Sequence, residues 1–314
     1  MPDNPVFNTV DEIINAYNNG LKGSFKEPEH YEKFMSELKN PYFGAAAPWL
    51  EGSGKGKLST PYKSVWEFDK DSFKEAQTTS DCVSHSCRNT ADITRAVEIH
   101  IKKDPESWVA RGATEVVYGL RGHCGAGMSC SRAADIVSKI AGHALRIKYG
   151  SYDLSVYDGR RGNKWCPNNV PSEITSESKK HCIQTISLIR SIEEARDALA
   201  NGYGISICSG QGFSSVRDKD GFAKAQGSWS HAMTLGACDD TKNTCDFLVI
   251  NSWGENWISG PMPAWGPIPK GSFMAKSDVI ARMIKGGGTF AYSSFDGFPP
   301  QNLPNYGTSD YLFG

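Results

Sequence analysis

The chain of 314 residues has no apolar run of membrane-spanning length, and its opening Met1-Pro2-Asp3-Asn4-Pro5 lacks the basic-then-apolar pattern of a secretory leader. Those absences exclude a membrane span and favour a cytoplasmic or virion-associated protein. Charge of one sign is not in excess either. The formal net charge is −1, with acidic and basic residues interspersed, so nothing marks the chain as a binder of nucleic acid or of an anionic membrane. No internal repeat is visible. The two-residue gap of a zinc knuckle is missing around His123, Cys124, Cys130, Cys166, His181 and Cys182, so the reading calls for no metal and no cofactor. The nine cysteines are odd in number and irregularly spaced, in a chain long enough to build a core without disulfide staples. Reduced thiols are therefore the expectation; Cys238 and Cys245, which flank a turn, would pair only in an oxidising compartment.

With 39% hydrophobic residues there is material for a substantial core. Residues 1–60 read as an N-terminal extension: a helix capped by Thr9, another from Glu27 to Leu38, then the Gly52-Ser53-Gly54-Lys55-Gly56 connector, flexible by composition. Residues 61–175 read as a helical lobe. In it Ser64 to Phe68 alternates like a strand, and apolar positions recur every three or four residues from Val83 to Val97. The spacing of Val83, Cys87, Thr90, Thr94, Val97 and Ile101 predicts a helix over 82–102 with a buried stripe opposite exposed charge. Thr114–Gly119 and Ala133–Ala141 are further helical stretches, and Gly150–Ser178 reads as a long surface connection. Residues 176–292 change character, with strands at Cys182–Ile189, Gly204–Cys208, Ala232–Cys238 and Phe247–Ile250 and a capped helix from Ser191 to Ala200. Residues 293–314 form a tail. A helical half followed by a β half makes the fold class α+β.

Three residue types in this layout make one chemical system. Cys82 opens the long helix, where unpaired backbone amides and the helix dipole favour a thiolate. His231, in Trp229-Ser230-His231-Ala232-Met233, would come from another element to exchange a proton with it. Asn251, at the end of the apolar run Phe247–Ile250, would orient the imidazole, and Trp253 would shield that bond from water. Gln77, five residues before Cys82, is placed to donate its amide to an oxyanion together with the Cys82 backbone N–H.

The segments Gln77–Ser86, Ser230–Ala237 and Asn251–Trp257 resemble the Cys, His and Asn motifs of the papain family of cysteine peptidases, Asn251-Ser252-Trp253-Gly254 being the most specific of them. His231 lies 149 residues beyond Cys82, against roughly 130 to 150 in that family, and Asn251 a further 20. The resemblance covers about residues 61–290. It implies a two-lobed fold, with a helical lobe, an antiparallel β-barrel lobe and a cleft between them. It also implies peptide-bond hydrolysis of a peptide or protein substrate, with Cys82 as nucleophile, His231 as base and acid, Asn251 as ring orienter and Gln77 as oxyanion donor. Cys124-Gly125-Ala126-Gly127 is similar to the family's loop that holds an extended peptide by its backbone, which places Gly125, Ala126 and Gly127 with Trp253 at the substrate.

The sequence departs from the family at several points. Val83 stands where tryptophan is usual, Gln77 is one position closer to the thiol, and Thr79 stands where the family has the cysteine that would partner Cys124. Asp81 puts a carboxylate beside the thiol, which raises its pKa and opposes the helix dipole. Residues 1–60 show no inhibitory prosegment signature. These features support an alternative: a structural or binding component of a virion or other assembly that keeps the fold with weak or no activity. Its terminal extensions would then dock to protein partners.

Overall fold

A computed structural model describes residues 4–102, 107–242, 244–301 and 303. The N-terminal extension folds into α1 (Val10–Asn18), whose Thr9 side chain accepts from the Glu12 amide at 3.2 Å, α2 (Pro28–Glu37) and the single-turn α3 (Phe43–Ala46). The glycine-rich connector is pinned rather than loose. The Gly52 and Gly54 amides donate to the Asp197 carboxylate at 2.7 and 3.0 Å, and the Gly56 amide donates to Asp240 at 2.7 Å. Next come β1 (Leu58–Ser59), α4 (Tyr62–Trp66), α5 (Cys82–Lys102), α6 (Glu115–Gly119) and α7 (Cys130–Asp135), followed by the hairpin β2 (Lys148–Tyr149) and β3 (Tyr152–Asp153), then α8 (Gly159–Lys164) and α9 (Ser172–Ser178).

The alternation of Ser64 to Phe68 predicts a strand, but its first half belongs to α4. Tyr62 and Val65, three apart, are both fully buried, so helical spacing carries the core contact and the alternation was incidental. The stretch 150–178 is not a bare surface connection. It holds α8 and α9, buries Leu154 and Ile174, and is tied down by a Cys124–Cys166 disulfide.

The second half supplies β4 (Thr185–Leu188), α10 (Ile192–Ala200), β5 (Ile205–Arg217), β6 (Ala223–Asp239), β7 (Asp246–Ile250), β8 (Ser272–Ala275), α11 (Ser277–Ile284) and β9 (Thr289–Ser293). Every strand pair is antiparallel, in the order β4-β9-β5-β6-β7-β8, with β1 on β6. The α+β class holds. No ladder joins β4 to β8 among the described residues, so the sheet is open along that path and the closed barrel of the sequence reading is not seen.

Helix α5 is central to the molecule, and this changes its character from the amphipathic helix predicted. Arg88, Asp92, Arg95 and Glu98, expected in solvent, are all buried. Burying charge requires partners. Asp92 accepts from His143 Nε2 at 2.9 Å and from the Gly112 amide at 3.0 Å, and Arg88 lies 3.7 Å from Glu75, which also pairs with Arg146 at 2.8 Å and Arg111 at 3.5 Å. Burial alone would raise the Glu75 pKa. The charges of Arg88, Arg146 and His85 and the Arg146 hydrogen bond outweigh it and hold the carboxyl at about 2. A depressed folded-state pKa contributes stability above the unfolded value and loses it as pH falls through the folded one. The Tm is therefore expected to drop between about pH 4.5 and pH 2, and Glu75→Gln to flatten that part of the Tm–pH curve; an unchanged curve would refute the assignment.

The expectation of reduced cysteines is corrected. Besides Cys124–Cys166, a disulfide joins Cys130 at the start of α7 to Cys208 on β5, linking the two halves of the chain. Thr79 is not needed as a cysteine, because the partner of Cys124 is Cys166, from the 150–178 stretch. Cys238 and Cys245 face one another, with sulfurs 3.5 Å apart and unbonded.

Candidate active site

Sheet register brings His231 and Asn251 together. Strands β6 and β7 pair Thr234 with Ile250, so His231 and Asn251 lie just beyond that pair on adjacent strands. His231 Nε2 is 2.7 Å from Asn251 Oδ1, which also accepts the Ser252 amide at 2.8 Å. That second bond identifies the oxygen, so His231 carries its proton on Nε2 and Nδ1 keeps a free lone pair. Nδ1 has no other partner. Trp253, fully buried, lies 4.8 Å from the His231 ring, centroid to centroid, and seals it from solvent.

Cys82 opens α5 and is also fully buried. Its sulfur takes hydrogen bonds from the Tyr17 hydroxyl and from the backbone of Ala232 and Val83, and the Ala232 contact sets the thiol against the residue following His231. Gln77 is bound into the Asn251-Ser252-Trp253 strand end. Its amide N–H donates to Ser252 O at 2.8 Å, its Oε1 accepts from Ser252 Oγ at 2.6 Å, and the preceding Ala76 bridges to Trp253. Gln77 Nε2 donates to Thr79 O at 2.6 Å and lies 3.4 Å from the Tyr17 hydroxyl. The sequence-predicted Cys82, His231, Asn251, Gln77 and Trp253 thus meet in one place.

The surprise is Tyr17. It sits on the buried face of α1, its ring 4.7 Å from His231 and 5.2 Å from Trp253, with its hydroxyl at both Cys82 and Gln77. Behind it, residues 22–25 run between the two halves as an extra extended strand. The Gly23 and Ser24 amides donate to Ser230 O at 2.9 and 2.8 Å, the Met128 amide donates to Gly23 O at 3.2 Å, and the Phe25 amide donates to Met128 O at 3.3 Å. Glycine is required on both sides of this approach. A Cβ on Gly127, whose φ is +72°, would lie 2.2 Å from Lys22 O, and one on Gly23 would lie 2.8 Å from the Cys82 sulfur. Of the loop Gly125-Ala126-Gly127, it is Gly127 that borders an extended backbone, that of the chain itself. On either side are two cavities, one of about 470 Å³ reaching Phe25, Tyr31 and the Cys130–Cys208 disulfide, the other of about 210 Å³ lined by Ile14, Phe213, Trp229, Trp253 and Trp257.

Closure has an electrostatic signature. Burial, helped by the Asp81 charge and opposed by the Tyr17, Ala232 and Val83 bonds, pushes the Cys82 thiol up to about 12. Burial, with a contribution from His85 and against the Asn251 bond, lowers His231 to about 4. In this arrangement thiol and imidazole are both neutral. The Tyr17 hydroxyl is raised as well, by burial and then by Cys82. Sequence reasoning missed Tyr17 because its spacing from Ile13 is that of any apolar helix face; the contact that sets it apart is made across more than sixty residues of chain.

No known family profile and no curated protein matches this sequence. Solved structures do. The chain has the fold of papain-like cysteine proteases. It is similar to xylellain, a cysteine protease from Xylella fastidiosa, at 13% identity over 87% of this chain and 91% of that one, with a TM-score of 0.50. It is similar also to procathepsin B S9 from Trypanosoma congolense (10% identity, 88% of each chain, TM-score 0.50). The digestive procathepsin L2 of Tenebrio molitor larval midgut aligns at 10% identity over 93% of this chain and 84% of its own, with a TM-score of 0.51.

Proposed function

We propose that the chain is a cysteine peptidase that hydrolyses peptide bonds through an acyl-enzyme on Cys82 and that its own N-terminal segment holds it latent. The observation that carries this reading is the His231–Asn251 bond of 2.7 Å, which leaves Nδ1 free while the Cys82 sulfur is held by the backbone of the next residue, Ala232. With the cleft open, Nδ1 takes the thiol proton and the sulfur attacks the substrate carbonyl carbon. Gln77 Nε2 and the Cys82 amide receive the oxyanion. His231 then returns its proton to the leaving amine, and water, deprotonated by His231, releases the acyl group. Met128 and Ser230 hold the substrate backbone much as they now hold residues 22–25.

In the closed state the Tyr17 hydroxyl occupies the oxyanion position, hydrogen-bonded from Gln77 and against the sulfur. A second reading, a binding component with a sealed cleft, is favoured by that occupancy and by the neutral thiol. One experiment separates them. A Tyr17→Ala chain is expected to cleave unfolded protein substrates and to be labelled at Cys82 by an epoxysuccinyl peptide, with both lost in Tyr17→Ala/Cys82→Ala. No cleavage and no labelling by the folded Tyr17→Ala chain would leave the binding role.

A further inference from the structure

Asp81 is the feature that the reaction above does not use, and it is badly placed for it. A carboxylate next to the nucleophile favours the neutral thiol, and Asp81 does act on Cys82 in that direction. It is buried, 1% exposed. Its Oδ2 accepts from the Tyr157 hydroxyl at 2.9 Å, and Oδ1 has no partner. His85, one turn into α5 and fully buried, places Nε2 3.5 Å from Asp81 Oδ2 and Nδ1 3.9 Å from Glu75 Oε1. Neither ring nitrogen makes a hydrogen bond. A neutral imidazole would turn a lone pair towards one of these carboxylates, whereas an imidazolium presents N–H to both.

We propose that His85 is a positioning residue for the reaction: its imidazolium, held between Asp81 and Glu75, offsets the carboxylate beside Cys82 so that the thiolate can form once Tyr17 has left. The surrounding charges assign this task to His85. Glu75 already has Arg146, Arg88 and Arg111. Among the described residues, His85 is the one basic side chain within 4.0 Å of Asp81, Arg121 acting on that region only through space. Tyr157, 5.1 Å from the His85 ring, closes the far side with Arg146 over its own ring at 5.4 Å. His231 faces the cluster from β6, where burial first and His85 second hold its pKa down against the Asn251 bond. The inference rests on Cys82 being the nucleophile.

The test uses the Tyr17→Ala chain and follows carbamidomethylation of Cys82 against pH, read from the mass of the Cys82 peptide. His85→Gln is expected to raise the midpoint by about one pH unit, which is about tenfold slower reaction at any pH below it. Asp81→Asn lowers the midpoint, and Asp81→Asn/His85→Gln falls between the two. A folded His85→Gln chain with an unmoved midpoint overturns the proposal. If the peptidase reading itself fails, the Tyr17→Ala chain cleaves nothing while the Cys82 midpoint still moves with His85.

Discussion

Tyr17→Ala is expected to speed alkylation of Cys82 by iodoacetamide at pH 7 by on the order of a hundredfold or more. Two effects act in the same direction. The ring fills the space between thiol, imidazole and Trp253, so its removal admits water and reagent. Hydration also relieves the burial that holds the thiol at about 12, against an ordinary 9.0, and about three pH units correspond to roughly a thousandfold in thiolate at fixed pH. Part of that gain is offset by loss of the Tyr17 hydrogen bond, which itself favours thiolate. Tyr17→Phe separates the contributions: it keeps the ring, removes the hydroxyl and should leave Cys82 nearly as unreactive as in the parent. The measurement is the labelled fraction of the Cys82 peptide with time. Equal rates in parent and Tyr17→Ala would show that another element shuts the cleft.

Removing the disulfide between the halves should have the largest effect on stability. Cys130 and Cys208 are 78 residues apart, and the chain-entropy relation gives about 4.5 kcal/mol for closing a loop of that size in the unfolded chain. Cys130→Ser/Cys208→Ser is expected to lower the Tm by on the order of 10 °C. The midpoint of a thermal melt, with and without reductant, reads it directly: the parent should fall towards the double variant on reduction, and the variant should respond only through Cys124–Cys166. A double variant melting with the parent would remove the staple from any account of stability. The bond also borders the larger cavity beside residues 24–31, so its loss should loosen the grip on Phe25.

What could be read from the sequence was whatever repeats locally. Helix α5 was legible to the residue because its apolar positions recur over twenty residues, and the cap at Thr9 and the box at Ser191 announced α1 and α10. His231 and Asn251 were legible because the apolar strands carrying them fix their spacing. What failed depends on contacts that leave no local trace. The charged face of α5 is buried because other segments supply Glu75, His143 and Arg146, and nothing in the period of the helix encodes them. Both disulfides join cysteines from segments whose proximity only the fold creates, one of them in the stretch taken for loop. Nothing in the local pattern around Tyr17 or Gly23 sets either residue apart. Their meaning comes from being set against Cys82.

The strand of residues 22–25 and the thiol it covers belong to one continuous backbone. Its hold on the groove is therefore independent of protein concentration, and dilution will not open it. A tethered occupant competes at an effective concentration on the order of millimolar. A free peptide must bind well below that level, or be present above it, before it displaces the segment. One cut between residue 26 and the pinned glycines at 52–56 would change the rule. The covering piece would become a dissociable ligand, and reactivity at Cys82 would then rise with dilution, where the intact chain shows none.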